Sequence, residues 1–263
     1  MNTLTDSKKI FLSPSGADIK NSLFSELTYN IQGLVKKDKS IIYNTIRIIH
    51  AEIPYSFYIV NQYNNKLNLS TGNIVIPNGN YNANTFIVAI KSLLPVGMDI
   101  TFNTTNGKFT FTYNSEFQIY NTSTCYKLIG LNKANYSSTS GTLVCVNPAN
   151  FLGSKNIYIK AKNIILENFN TTTKDYSTLS SIALSVPPFG IVMYDNSSAS
   201  KNLIKNSQLD YLNIEICDED NNLVDFNGIE WTITLEIETT IQVQQNTKSI
   251  SEYLSELYNQ NNN

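Results

Sequence analysis

Hydrophobic and polar residues alternate most regularly near the C-terminal end of the chain, between Leu209 and Ile241. An Asp- and Asn-rich segment divides this region into two alternating halves. The apolar members of the two halves are Leu212, Ile214, Ile216, Trp231, Ile233, Leu235 and Ile237. Successive side chains of a strand point to opposite faces, so a period of two indicates one buried and one solvent-facing side. The pattern predicts a long β-hairpin whose apolar face must be covered by a second sheet or a helix.

Shorter alternating segments upstream predict further strands. The longest runs from Ile41 to Ile53 and is apolar on both faces, so we expect it to be central in a sheet. Pro54 has no amide hydrogen and ends the pairing there. A second hairpin is predicted around Asn106-Gly107, a dipeptide that favours the type I′ turn.

One internal segment has helical spacing instead. Its apolar positions are Phe86, Ile87, Ile90, Leu93 and Leu94. Either Asn82 or Asn84 can cap its start, and the sequence Pro95-Val96-Gly97 ends it.

A second helix is predicted in the C-terminal tail, from Ser249 to Tyr258. Ser249 and Glu252 form a capping box. The apolar stripe of this helix, which we predict to be an interface, is Ile250, Tyr253, Leu254, Leu257 and Tyr258. A helix this short is marginal alone and must dock, either on its own sandwich or on a partner protein.

Together these elements predict an all-β fold without a βαβ rhythm. The expected architecture is a single jelly-roll β-sandwich of eight main antiparallel strands, with one or two short helices and a C-terminal tail helix. We assign residues 1–20, which are polar, to an N-terminal arm. Residues 21–241 form the jelly-roll domain, and residues 242–263 form the tail.

Composition narrows the functional classes. The chain has 263 residues and a formal net charge of −2. It has no strongly basic stretch, so we do not expect direct nucleic-acid binding. No apolar run approaches the ~20 residues of a membrane-spanning helix, and the start lacks the apolar core of a signal peptide. Cys125, Cys145 and Cys217 are widely spaced and odd in number, as expected for reduced cysteines.

Candidate catalytic residues are few. His50 is the sole histidine, and Glu52 lies on the same face of its predicted strand. No GxSxG motif accompanies it, and no Cys or His is spaced for zinc. We therefore expect a non-enzymatic protein with neither cofactor nor metal.

The acidic run Asp218-Glu219-Asp220, with Asp225, has two interpretations. It is superficially similar to a calcium loop, but the required glycine and the terminal Glu are missing, so a solvated turn is favoured.

Trp231 lies on the buried side of its strand, which favours core packing over a sugar-binding platform. The abundant tyrosines suit either a carbohydrate site or strand faces and protein interfaces.

Five segments, in this order, are similar to a known family. They are IIHAEIPYSFYIVNQYNNKL (48–67), IPNGNYNANTFIVAIKSLL (76–94), TCYKLIGL (124–131), NIYIKAKNI (156–164) and IEICDEDNNLVDFNGIEWTITLEIE (214–238). The set resembles the single jelly-roll penton, or minor capsid, proteins of virophages, polinton-like viruses and some large DNA viruses. In the last motif, the matching positions are Asp218, Asp220, Asn227, Gly228 and Trp231. The resemblance spans about residues 27–240.

The resemblance implies a structural capsid protein that assembles as a homopentamer at the fivefold vertex of an icosahedral virion. It also implies contact with neighbouring double jelly-roll major capsid proteins, and assembly in the host cytoplasm. A glycan- or receptor-binding β-sandwich module on the virion surface is the alternative, for which Tyr-rich loops would hold the ligand.

Overall fold

The structure is a computed structural model that describes residues 2–35, 41–164, 170–171, 174–196, 198, 200–204 and 209–243. Within these residues it contains seventeen strands, one α-helix and two short 3-10 helices. The strands are β1 (Asn2–Leu12), β2 (Ile19–Lys20), β3 (Glu26–Val35), β4 (Ile41–Pro54), β5 (Lys66–Leu69), β6 (Gly72–Val75), β7 (Asp99–Asn103), β8 (Lys108–Thr112), β9 (Gln118–Ile119), β10 (Tyr136–Ser137), β11 (Thr142–Val144), β12 (Asn156–Ala161), β13 (Thr178–Ala183), β14 (Ile191–Asp195), β15 (Asn202–Ile204), β16 (Leu209–Cys217) and β17 (Thr232–Val243). The helices are α1 (Ala83–Lys91) and the 3-10 helices Pro14–Gly16 and Cys125–Lys127.

Two antiparallel sheets form the sandwich. The first has the order β1, β17, β4, β14, with β15 also paired to β4, and the second has the order β13, β12, β16, β3, β2. Along the chain, the strands β1, β3, β4, β12, β13, β14, β16 and β17 cross repeatedly from one sheet to the other. This order is that of a jelly roll, so the predicted all-β fold class is confirmed.

The strands β16 and β17 belong to different sheets, which corrects the predicted C-terminal hairpin. β16 pairs with β12 and β3, whereas β17 pairs with β1 and β4. The intervening residues 218–231 cross from one sheet to the other instead of closing a tight turn. Both alternating halves still bury their apolar positions, because their inner faces contribute to one core between the sheets. Trp231 is buried there and donates its indole N–H to Phe24 O at 2.7 Å, as favoured from the sequence.

A β-bulge in β4 explains why this strand is apolar on both faces. His50 is opposite Thr234 and Ile48 is opposite Leu235, which leaves Ile49 as an extra residue. The extra residue shifts the alternation, so the buried positions change from Ile46 and Ile48 to Ala51 and Ile53. β4 is central, as predicted, between β17 and β14.

The N-terminal residues are a strand of the sandwich, and the expected arm is wrong for residues 2–12. β1 pairs with β17 over its whole length, from Asn2 opposite Val243 to Leu12 opposite Ile233. The inward-facing, even-numbered residues of β1 include the polar Asp6 and Lys8, which hid this role, since only Ile10 and Leu12 reach the core. Leu12 is 3% exposed.

Residues 55–155 form an inserted lobe between β4 and β12, with a hydrophobic core of its own. A sheet in the order β10, β9, β5, β6 and a sheet in the order β11, β8, β7 enclose this core together with α1. The helix α1 is confirmed. Asn82 caps it by accepting hydrogen bonds from the backbone of Asn84 and Thr85, and the Thr85 hydroxyl completes a capping box.

The hairpin of β7 and β8 is confirmed, but its turn is not the predicted two-residue type. Asn103 is opposite Lys108, so four residues form the loop, and Gly107 N donates to Asn103 O at 2.8 Å. Gly107 alone takes the positive φ that a type I′ turn requires at both central residues. The predicted tail helix and its stripe, Ile250, Tyr253, Leu254, Leu257 and Tyr258, lie outside the described residues and stay a prediction.

Leu12→Ala tests the role of β1. This change removes a buried side chain, so we expect the free energy of unfolding to fall by about 2–5 kcal/mol. Leu4→Ala, on the same strand at a position 59% exposed, is the matched control and should change it by less than about 0.5 kcal/mol. Denaturant unfolding measures both. Equal, small effects would restore the interpretation of residues 1–20 as an arm.

Candidate functional site

The sandwich has two open sides, and each carries exposed apolar side chains. On one side lie the edge strands β13 and β14, joined by residues 184–190. On the other lie the edge strands β1 and β2, joined by residues 13–18. We call Phe189, Ile191 and Met193 the β14 patch, and Phe11 and Ile19 the β1 patch.

The β14 patch results from an edge strand that is apolar on both faces. Val192 points inward and is buried in the core, so its neighbours Ile191 and Met193 must point outward, where they are 59% and 62% exposed. Phe189 precedes them in the turn and is 76% exposed. β14 pairs with β4 on one side, and no strand of the described residues covers its other edge. A free edge next to a continuous apolar row is typical of a surface that another chain covers.

The β1 patch lies on the opposite side. Phe11 alternates with the core residue Leu12, so its ring faces outward from the first sheet, opposite Thr234, and is 78% exposed. Ile19 on β2 is 67% exposed and is opposite Thr28, so it points outward from the second sheet, whereas Phe11 points outward from the first. The sandwich therefore presents apolar surface on two different sides.

Between the two patches, the outer face of the first sheet is polar and internally paired. Arg47 on β4 forms an ion pair with Glu236 on β17 at 2.6 Å, and Ser7 Oγ on β1 donates to the same carboxylate at 2.9 Å. His50 lies on this face, with Nε2 3.6 Å from Glu52 Oε1, so the predicted shared face is confirmed. Neither His50 nor Glu52 is buried in a cleft.

A cleft of about 930 Å³ lies between the inserted lobe and the connection from β16 to β17. Its walls come from residues 55–64, 121–128, 150–155 and 218–225, and Asn78 and Lys133 also contribute. Tyrosine and asparagine side chains dominate the lobe side. They include Tyr58, Tyr63, Tyr126, Asn64, Asn121 and Asn150.

Gly130 follows the 3-10 helix Cys125–Lys127, which forms part of one wall of the cleft. It has φ +80°, and a Cβ atom at this position would lie 2.1 Å from Asn147 O. Only glycine fits such a position, so the wall is closely packed against the segment behind it.

The acidic run forms the opposite wall, and its carboxylates have separate partners. Asp218 Oδ1 accepts from the backbone N–H of Asp220 and Asn222 at 2.9 and 2.8 Å, which is the turn geometry expected from the sequence. Glu219 accepts from Lys155 N at 3.2 Å. Asp220 pairs with Lys127 of the lobe at 2.9 Å. Asp225 Oδ1 accepts a backbone hydrogen bond as well.

These contacts hold the loop against the lobe. Burial raises the pKa of Asp218, and the hydrogen bond to Asp220 raises the pKa of Lys127. The Lys127–Asp220 pair is more than half exposed on both sides, so it contributes little to stability. Across the part of the chain that the structure describes, no group of three or more His, Cys, Asp or Glu side chains could hold a metal ion.

Sequence reasoning missed the β14 patch. The signal was present, since Ile191, Val192 and Met193 are consecutive apolar residues, but such a run is equally typical of a strand buried on both faces. Only the position of β14 at a sheet edge separates the two cases.

None of the described helices is long and apolar enough to cross a membrane.

Comparison with solved structures finds a likeness of fold, whereas comparisons of sequence find none. No family model matches the chain, and no curated protein is similar to it. Among solved structures, the chain is similar to the penton protein of mavirus, determined as a crystal structure of selenomethionine-labelled protein. The similarity covers 91% of this chain and 100% of the mavirus chain, at 11% sequence identity and a TM-score of 0.43.

The three cysteines provide a test of the core. All are buried and free, and burial raises the pKa of Cys125 and Cys145 to about 12 and that of Cys217 to about 11. Because the thiolate is the reactive form, we expect no reaction with a thiol reagent near neutral pH in the folded protein. Under denaturant all three thiols should react. Rapid labelling of the folded chain, located by peptide mass analysis, would contradict the burial of that cysteine.

Proposed function

We propose that this chain is a structural capsid protein, and that it forms the penton at the fivefold vertex of an icosahedral virion. The observation that carries the proposal is the pair of apolar patches on opposite sides of one jelly-roll sandwich. A closed ring of identical chains needs two different surfaces on each chain, one of which meets the other on the next copy. The β14 patch of one copy and the β1 patch of its neighbour provide such surfaces.

The sequence motifs support the same function. The ordered segments between residues 48 and 238 resemble single jelly-roll penton proteins, and the last of them contains the cleft loop and the start of β17. The internally paired outer face of the first sheet leaves the two apolar sides as the surfaces that gain most from being covered.

Further contacts belong to the same proposal. We propose neighbouring double jelly-roll major capsid proteins as partners in the virion, with assembly in the host cytoplasm. The apolar stripe of the tail, Ile250, Tyr253, Leu254, Leu257 and Tyr258, is a second surface for docking on the chain itself or on such a neighbour. No enzymatic activity, cofactor or direct nucleic-acid contact is part of this function.

Self-association through the patches can be tested by light scattering after size exclusion over a wide range of concentration. We expect a fivefold mass for the wild-type chain at high concentration. Ile191→Glu combined with Met193→Glu places two charges in the β14 patch, and burying unpaired charges is costly, so this variant should remain monomeric.

The matched control is Val88→Glu combined with Val96→Glu, at exposed positions of the inserted lobe. It adds the same charge outside both patches and should associate like the wild type. A wild-type chain that is monomeric at every concentration, or a threefold mass, would contradict the fivefold ring. Loss of association in the control as well would show that net charge, not the patch, is responsible.

The cleft favours a second candidate function, binding of a glycan or receptor at the virion surface. Tyr58, Tyr63 and Tyr126 line it together with six asparagines, which combines aromatic faces with amide hydrogen-bonding groups. Such a lining fits a sugar, which has both apolar C–H faces and many hydroxyls. The volume of about 930 Å³ is sufficient for a small oligosaccharide.

A glycan array with the wild-type chain tests this second candidate. Selective binding should weaken about fivefold in Tyr63→Ala, because loss of an aromatic contact costs on the order of 1 kcal/mol. Tyr211→Ala removes an exposed tyrosine outside the cleft and is the control. An array without selective binding would reject the candidate, and equal losses in the two variants would place the glycan elsewhere.

A further inference from the structure

A fully buried lysine lies on the outer face of the second sheet, under two loops. Lys160 on β12 alternates with the core residues Ile159 and Ala161, so it points away from the main core. Its side chain is nevertheless 0% exposed. Lysine is almost never fully buried unless its amine has partners. The position therefore requires an explanation beyond ordinary strand packing.

The amine of Lys160 meets two acyl groups at very short range. Nζ is 2.5 Å from Asp175 Oδ2 and 2.5 Å from Asn221 Oδ1. A carbonyl bond is about 1.2 Å long, so the amine nitrogen lies within about 3.7 Å of the carboxamide carbon of Asn221. Reacting atoms in a near-attack arrangement are about 3–3.5 Å apart, so at most a small further approach of Nζ to this carbon is required.

The two acyl groups are held differently. Asp175 Oδ1 accepts hydrogen bonds from Ser177 N and Oγ, both at 3.1 Å, and from Thr178 Oγ1 at 3.3 Å. These donors hold the Asp175 side chain in place and leave its other oxygen, Oδ2, directed at Nζ, and a carboxylate is a poor electrophile. Lys160 and the thiol of Cys217, at 3.6 Å, both approach Oδ1 of Asn221. When Nζ turns to attack, the thiol of Cys217 remains as a weak donor to this oxygen and polarises the carboxamide.

The backbone also presents Asn221 to the lysine. Asn221 is an exposed residue in the turn after β16, with φ +65°, a conformation that asparagine tolerates better than most residues. Glu215, which is opposite Lys160 in the β12–β16 register, places a second carboxylate 3.9 Å from Nζ. Lys162 pairs with Glu215 at 3.4 Å, so Asp175 is the nearer proton acceptor for Lys160.

We propose that Lys160 and Asn221 form an intramolecular isopeptide bond, with Asp175 as the proton acceptor. The Lys160 ammonium gives a proton to the Asp175 carboxylate, and the freed lone pair of Nζ attacks Cγ of Asn221. The new Nζ–Cγ bond forms while the Cγ–Nδ2 bond breaks. A second proton from Nζ passes to Nδ2, which leaves as ammonia and takes up the proton held by Asp175. The products are a secondary amide and an ammonium ion, with no oxidant or co-reactant.

The bond would link the β16–β17 connection to β12 across 61 positions of sequence. It would also replace a buried ammonium group by a neutral amide, which removes the cost of keeping a charge away from water. The cross-link is independent of the proposed function, since neither apolar patch nor the tyrosines of the cleft take part in it.

Intact-mass measurement of the denatured full-length chain tests the proposal. We expect the wild-type mass to be lower than the sequence mass by one ammonia molecule, and peptide mapping should show a branched peptide that joins residues 160 and 221. Lys160→Arg keeps the positive charge but removes the nucleophilic amine, so its mass should equal the sequence mass. Lys162→Arg, on the same strand, is the matched control and should keep the lower mass.

Other results would overturn the proposal. An unmodified wild-type mass would show that Lys160 is held only as an ion pair. Loss of one water, with a branched peptide that joins residues 160 and 175, would show that the amine reacts with Asp175 and not with Asn221. Loss of ammonia that persists in Lys160→Arg would indicate cyclisation of an asparagine that precedes glycine, such as Asn106. Because the mass and peptide map of the wild type decide alone, the test does not depend on whether a variant folds.

Discussion

The burial of two facing β-sheets in one core is the constraint on which the rest of the structure depends. β17 lies between β1 and β4, and its inner residues share one core with those of β16. Each sheet alone would leave one apolar face in water, so neither is stable without the other. The largest buried side chain, that of Trp231, is anchored by a hydrogen bond to Phe24 O, next to the start of β3. Every other feature is attached to this double layer.

The crossing between β16 and β17 also organises the surface. Because β16 and β17 are in different sheets, residues 218–231 must span the thickness of the sandwich, and their polar half packs beside the inserted lobe. The same segment supplies the acidic wall of the cleft and the asparagine that reaches Lys160. A tight hairpin, as the alternation suggested, would have had neither role. The topology of one connection thus determines both polar features of this end of the molecule.

The two apolar sides follow from the open edges of the sheets. An open sandwich necessarily has edge strands, and edge strands with apolar outward residues favour association with another chain. In this protein the edges on opposite sides carry different apolar residues, Ile191 and Met193 on one and Phe11 on the other. Two unlike surfaces suit a ring, whereas a symmetric dimer needs one surface that matches itself. The proposed vertex role agrees with that arrangement.

The sequence by itself determined the local elements. Period-two alternation located the main strands, the spacing of Phe86 and Ile90 after Asn82 located α1, and Pro54 ended β4 where the structure ends it. These features depend on neighbours within a few residues, so they can be read from a short window. The order of the motifs also indicated the jelly-roll class, because each motif can be recognised from its own short segment.

Only the tertiary structure decided which strands pair and which distant side chains meet. Alternation assigns a residue to a face of its own strand but contains no information on the neighbouring strand, so β1 was missed and β16 and β17 were joined wrongly. A single extra residue, Ile49, reversed the faces of half of β4. Lys160, Asp175 and Asn221 lie far apart in sequence and converge because two loops close over one sheet. Such contacts depend on closure of the whole sandwich, which no local pattern contains.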